Sequence, residues 1–177
     1  MTRPTIFWLR RDLRLADNPA LIAAVERGGP VIPVFLLDPI VERFGAAPLW
    51  RLGESLSDLS SRLEDAGSRL ILRRGDALEV LRALAEETGA DCVLWSRLYD
   101  APSIARDTEV KRALCDAGIE ARSVNGSLLF EPWTVETGAG GFYKVYTPFW
   151  KAVRGREPDA PLPDPGRIPA PETWPRS

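Results

Sequence analysis

A parallel α/β sheet of five strands with helices on both faces, followed by a proline-rich linker, is what this sequence predicts. Two observations predict it. Short apolar runs read as buried strands, and they alternate with longer stretches whose apolar residues recur every three or four positions. Such alternation of strand and helix is the pattern of a parallel sheet covered on both sides. A third observation says where function lies. The first apolar run opens at once on Arg10, Arg11, Asp12 and Arg14, a charged cluster at the carboxyl end of a strand, where open α/β sheets place their sites.

The strands are drawn at 5–9, 31–37, 69–72, 92–95 and 120–124. A first helix runs from Pro19 to about Arg27, with Asp17 or Asn18 as its N-cap and Pro19 at the first helical position. Gly28-Gly29 stops it. The second helix carries Leu49, Leu52, Leu56, Leu59 and Leu63, the stripe of a helix lying on a sheet, and Gly67 ends it. The third begins at Asp76, with Glu79 spaced as in a capping box and Leu78, Leu81, Leu84 and Ala85 as its apolar face. The fourth begins near Ser103 and is closed by Gly118. From Asn125 the pattern changes: glycines at 138, 140 and 141 mark a loop, and Thr147-Pro148 opens a short amphipathic piece. Beyond Arg154 prolines recur at 158, 161, 163, 165, 169, 171 and 175, a composition with little capacity for a core, which reads as an extended linker. The organisation is an α/β unit over 1–130, a loop and short helix packed on it over 131–157, and a linker over 158–177.

A chain of 177 residues, 45% hydrophobic and 27% charged, has room for one well-cored domain. Its net charge of −2 gives no electrostatic footprint for nucleic acid over the chain as a whole. Histidine is absent, which removes Ser-His-Asp and Cys-His catalysis and histidine-bound metal. The two cysteines, Cys92 and Cys115, form no C-x-x-C pair and read as buried packing. No run approaches a membrane span and no signal peptide is visible, so a cytoplasmic location is the default.

The loop after the first strand holds arginines where a dinucleotide fold needs G-x-G-x-x-G, which argues against a nicotinamide enzyme. Two readings of the arginine cluster stand: a ligand or docking site, or a solvated group of self-paired charges. Trp133, Tyr143, Tyr146, Phe149 and Trp150 crowd the segment after the sheet. Only Lys144 and Lys151 accompany them before Arg154, too few cations for a single-strand groove, so packing or docking is the better account. Trp8 and Trp95 lie in strands and read as core.

The stretch from Phe7 to Leu21, F-W-L-R-R-D-L-R-L-A-D-N-P-A-L, closely resembles the opening of the DNA photolyase and cryptochrome family. The block Tyr146-Thr147-Pro148-Phe149-Trp150-Lys151 agrees with it, and the resemblance runs from about Ile6 to Trp174. It implies a Rossmann-like N-terminal domain that carries a light-harvesting antenna chromophore, joined by a long linker to a helical domain that binds FAD and damaged DNA. No residues for that second domain are present, so neither flavin nor lesion contacts are assigned. Trp50-x-Leu52, Leu129-x-Glu131-Pro132 and Ala170-Pro171-x-x-Trp174-Pro175 look most like bacterial class III photolyases, a subgroup associated with a methenyltetrahydrofolate antenna; a deazaflavin is the second choice.

Carried onto this chain, the resemblance places the antenna near Asp38, Trp50, Glu54, Asp100 and Arg10. Trp50 would stack on a flat ring unless it packs under its own loop. Glu54 would accept from ring N–H groups. Asp76, by contrast, reads as a helix cap. Arg11, Asp12 and Arg14 are expected to face the flavin-bearing domain, and no metal is expected. Light-driven splitting of pyrimidine dimers is then the implied activity of the parent, with this chain inactive alone. A cryptochrome photoreceptor, or a free-standing nucleotide-binding module, is the alternative.

Overall fold

The computed structural model describes residues 2–177. Its five strands are β1 (Thr5–Leu9), β2 (Val31–Leu37), β3 (Ile71–Arg74), β4 (Cys92–Ser96) and β5 (Glu120–Val124). They pair in the order β3-β2-β1-β4-β5, all parallel. The helices between them are α1 (Pro19–Glu26), α2 (Pro39–Glu42), α3 (Ala46–Asp65), α4 (Ala77–Thr88) and α5 (Ala101–Asp116). A 3₁₀ turn at Pro132–Thr134 and α6 (Tyr146–Val153) follow the sheet. The order of strands reverses at β1, so a crevice opens outside its carboxyl end.

Alternate residues of the strands feed two cores. On one face Ile6, Trp8, Ile32, Val34 and Ile71 meet Leu81 and Leu84 of α4 and Val110 and Leu114 of α5. On the other, Phe7, Leu9, Val31 and Phe35 meet Leu21 and Ala24 of α1 and Leu59 and Leu63 of α3. Trp8 and Trp95 are buried with ring centroids 5.6 Å apart.

The caps resolve several boundaries. Asn18, not Asp17, caps α1: its Oδ1 accepts from the Leu21 amide at 3.1 Å. Asp17 takes the left-handed conformation at φ 50°, which Asp tolerates better than most residues. Asp76 caps α4, accepting from the Leu78 and Glu79 amides. The fourth predicted helix starts two residues early, because Asp100 accepts from the Ser103 amide and caps α5. The one-turn α2, capped by Asp38, was not legible as a separate element. Strand β3 lies two residues beyond its expected span, since its extent is set by pairing with Val34–Leu37 of β2. α6 starts at Tyr146, with Val145 in the cap position and no side-chain cap, so Thr147 does not serve as its cap. Cys92 is buried, but Cys115 sits exposed near the end of α5, contrary to the packing role expected of both.

The proline-rich segment forms no helix or strand, yet it does not run free. Leu162 exchanges hydrogen bonds with Asp17: its carbonyl accepts from the Asp17 amide at 2.9 Å, and its amide donates to Asp17 Oδ1 at 3.1 Å. The Ile168 amide donates to the Ala66 carbonyl, and the Pro169 carbonyl accepts from Val31 at the start of β2. Ile168 is 1% exposed and belongs to the α1–α3 core, whereas Trp174 packs against the opposite one. The segment is a strap that starts beside the amino end of α1, on the carboxyl side of the sheet, and then passes around the amino ends of the strands.

Candidate functional site

A cavity of about 300 Å³ opens at the carboxyl ends of β1 and β2. Its walls are mainly apolar, with Phe35 and Leu36 from β2, Ile40 and Val41 from α2, and Phe44, Pro48 and Leu52 from the loop and helix that follow. Trp8, Arg10 and Arg11 come from β1 and its end, and Leu98, Ser103 and Arg106 from the far side of the switch point.

The charged cluster at the end of β1 splits by direction. Successive residues of an extended chain point to opposite sides, and here Arg10 and Asp12 turn inward while Arg11 stays exposed. Asp12, 3% exposed, accepts from the Arg10 amide at 3.0 Å and the Ser96 hydroxyl at 2.5 Å. It works within the fold rather than as a surface contact. Arg10 reaches Asp107 at 2.5 Å and donates to the Ser96 carbonyl. Arg106 pairs with Asp107 at 2.8 Å and also with Asp38. The guanidinium carbons of Arg10 and Arg106 each lie 4.8 Å from the Trp8 ring centroid. Burial pushes the Arg10 guanidinium below its ordinary range, against the pull of Asp107, but a guanidinium remains charged near neutral pH. Paired buried charges of this kind are held in one geometry, because each partner lost would leave an uncompensated ion.

Of the residues expected at an antenna, Arg10 and Asp38 line the cavity. Asp38 spends one oxygen on the Ile40 and Val41 amides and offers the other to Arg106. Trp50 does not line it: the indole is 68% exposed. Glu54 lies on an adjoining cleft. The helical period explains both. Pro48, Arg51, Leu52 and Ser55, spaced by three and four, form the face of α3 turned to the cavity, and 50 and 54 fall off it. Asp100 stands outside as the α5 cap, with Arg11 at 3.2 Å.

Sequence reading missed Ser96, Ser103, Arg106 and Asp107. The last three sit at steps of three and one along α5, a polar face at its amino end, which is the signal that marks them. The Ser103 hydroxyl and the Arg10 Nε are buried without hydrogen-bond partners among the described residues. A second network fastens the post-sheet loop: Tyr99 donates to Glu131 at 2.7 Å, Glu131 pairs with Arg97, and Arg97 lies 5.1 Å from the Trp133 ring. Burial and the Glu131 carboxylate push the Tyr99 hydroxyl up to about 12. Among the described residues no cluster of acidic and cysteine side chains is disposed to hold a metal ion, and no helix is long and apolar enough to cross a membrane.

Comparison with known proteins bears on this geometry. The family described as DNA photolyase matches residues 5–167. A deoxyribodipyrimidine photo-lyase of Agrobacterium fabrum is 51% identical over 177 residues, covering 99% of this chain and 37% of that protein. Cryptochrome-1 of Arabidopsis thaliana is 39% identical over 170 residues, 93% of this chain and 25% of that protein. The crystal structure of a bacterial class III photolyase from Agrobacterium tumefaciens superposes with a TM-score of 0.96 at 50% identity, covering all of this chain and 37% of that one. The chain thus spans well under half the length of each of these three relatives.

Proposed function

Since the chain belongs to the DNA photolyase family, we propose that it is the antenna domain of a deoxyribodipyrimidine photo-lyase, with the cavity at the ends of β1 and β2 as its chromophore chamber. Proteins of this family bind FAD and antenna chromophores. The observation that carries the reading is the chamber itself: apolar walls over a polar floor of Arg10, Asp38 and Arg106, with Asp107 behind it pairing both arginines. Its volume lies at the small end of ligand sites, fitting a fused heterocycle. Unpartnered polar atoms at its wall, Ser103 Oγ among them, are what a polar ligand site leaves behind when considered alone.

Methenyltetrahydrofolate is the first candidate and a deazaflavin the second. Bound there, either would absorb near-ultraviolet or blue light and pass the excitation to a flavin. The chain's own part is to bind and orient. Phe44, Pro48 and Leu52 exclude water, and Arg106, fixed between two carboxylates, sets the polar edge. No residue here is asked to act as acid or base.

The flavin and the damaged DNA would be held by the remainder of such a protein. The exposed Trp133, Phe142, Tyr146 and Trp150 after the sheet, with Arg11 and Arg14 at the end of β1, offer the surface for that partner domain. Likeness to Cryptochrome-1 favours a second reading, the same chamber in a blue-light receptor. A repair assay on the full-length protein separates the two.

Titration of the chain with methenyltetrahydrofolate should give an induced circular-dichroism band in the near ultraviolet. Ser55→Trp, which fills the chamber from half-buried α3, should weaken binding at least about tenfold, ~1.4 kcal/mol. Failure to bind either the folate or a deazaflavin would overturn the reading.

A further inference from the structure

We propose that a separate cavity, between the carboxyl ends of β4 and β5 and the first turns of α5, binds a small heteroaromatic carboxylate. It measures about 260 Å³. Trp95, Tyr99 and Trp133 supply aromatic walls, and Ile104, Thr108 and Lys111, at steps of four and three, present one face of α5. Trp8 borders the chamber, whereas its neighbour Trp95 borders this cavity, so the proposal stands whatever the chamber holds. Trp133 and Lys111 are exposed, and the cavity is reached from solvent beside them.

The hydrogen-bonding groups around it sort into spent and unspent. Asp107 gives one oxygen to Arg10 and the other to Arg106. Tyr99 donates to Glu131, and Arg97 donates to Glu131 and to the Ser123 hydroxyl and carbonyl. The Thr108 hydroxyl donates to the Ile104 carbonyl. Two groups are left. The Trp95 indole N–H is buried without a hydrogen-bond partner, although a buried indole ordinarily finds one. Lys111 makes no ion pair and no side-chain hydrogen bond among the described residues. Both donate and neither accepts, and one is a cation. The complementary ligand therefore brings acceptors and negative charge, and the aromatic walls call for a flat body. The volume falls below that of drug-sized sites and suits a single ring. A ring nitrogen for Trp95 and a carboxylate for Lys111 meet both donors at once. Arg97, held by Glu131 and lying 5.1 Å from the Trp133 ring, keeps that wall in place before a ligand arrives.

Three probes test this on the chain: nicotinate, which carries both acceptors, benzoate, which lacks the ring nitrogen, and nicotinamide, which lacks the charge. Titration is followed by the indole N–H signals in a proton–nitrogen correlation spectrum, with the Trp95 signal identified by its loss in Trp95→Phe. Nicotinate should bind saturably with a dissociation constant of about 1 mM or below, within reach of so small a ligand, and should move the Trp95 N–H downfield as it gains an acceptor. Benzoate and nicotinamide should each bind more weakly. Lys111→Ala should weaken nicotinate about threefold or more, as for an exposed ion pair, and leave nicotinamide unchanged. Raised salt should act in the same direction. Trp133→Ala, at an exposed position, should weaken all three by at least about fivefold through lost stacking. Absence of saturation with nicotinate, a Trp95 signal that does not move, equal affinity for nicotinate and nicotinamide, or affinities indifferent to both substitutions would each overturn the assignment and leave a hollow that holds water only.

Discussion

At Asp12 a single buried carboxylate decides how the first strand ends. It holds the Arg10 amide and the Ser96 hydroxyl, tying the end of β1 to the end of β4 across the switch point. Asp12→Ala would leave both donors buried without an acceptor, at a cost of about 1–3 kcal/mol. In urea denaturation the midpoint should fall with the slope unchanged; an unaltered midpoint would contradict the role. The cysteines give a second expectation. Burial pushes the Cys92 thiol up to about 12, whereas Cys115 is exposed. The thiolate is the reactive form, so a thiol reagent at pH 8 should label one cysteine per folded chain and two once it is unfolded. At this scale the sequence showed which residues were charged and clustered. It did not show that the cluster divides into an inward pair and an outward pair, because the direction of each side chain follows from where the strand stops.

Among the elements, the caps were the most legible feature, since a cap is a local contact between a side chain and amides two or three residues away. Asp76 was readable in this way and Asn18 stood as one of two candidates beside Asp17, but the surroundings of the two caps differ. Asp76 caps an exposed helix end and makes nothing else. Asn18 is fully buried, and its amide also donates to the carbonyls of Asp12 and Arg14. Asp76→Ala should therefore cost about 1 kcal/mol, and Asn18→Ala at least twice that, read as the difference in unfolding free energy. Equal costs would mean that the loop contacts contribute nothing. The face of α3 turned to the chamber was harder to read. Its buried stripe, Leu59 and Leu63, belongs to the sheet contact farther along, and the cavity-facing set 48, 51, 52 and 55 mixes polar and apolar residues. The resemblance and the stacking capacity of an indole put the weight on Trp50, which the helical turn directs away from the chamber.

For the whole molecule, the strap joins the two cores around the amino ends of the strands. Ile168→Ala should destabilise the fold by about 2–5 kcal/mol, as for other buried aliphatic residues. A free linker would show no effect. Farther along, the Glu87 carboxyl is held below its ordinary range by the Arg176 amide at 3.0 Å and by Arg73. A carboxyl depressed in the folded state adds stability above its unfolded value and loses it as the pH falls through the folded one. The stability gap between the unsubstituted chain and Glu87→Gln should thus close below about pH 4. The sequence by itself determined the strands, the alternation with helices, the sheet class and the family, because those depend on periodicity, caps and long unbroken motifs. Only the tertiary structure decided that the proline-rich segment clasps the domain, that Arg106 and Asp107 meet Arg10 and Asp38, and that a chamber lies between them. Those pairings join residues up to 145 positions apart, and nothing local to either partner records which distant neighbour the sheet will bring beside it.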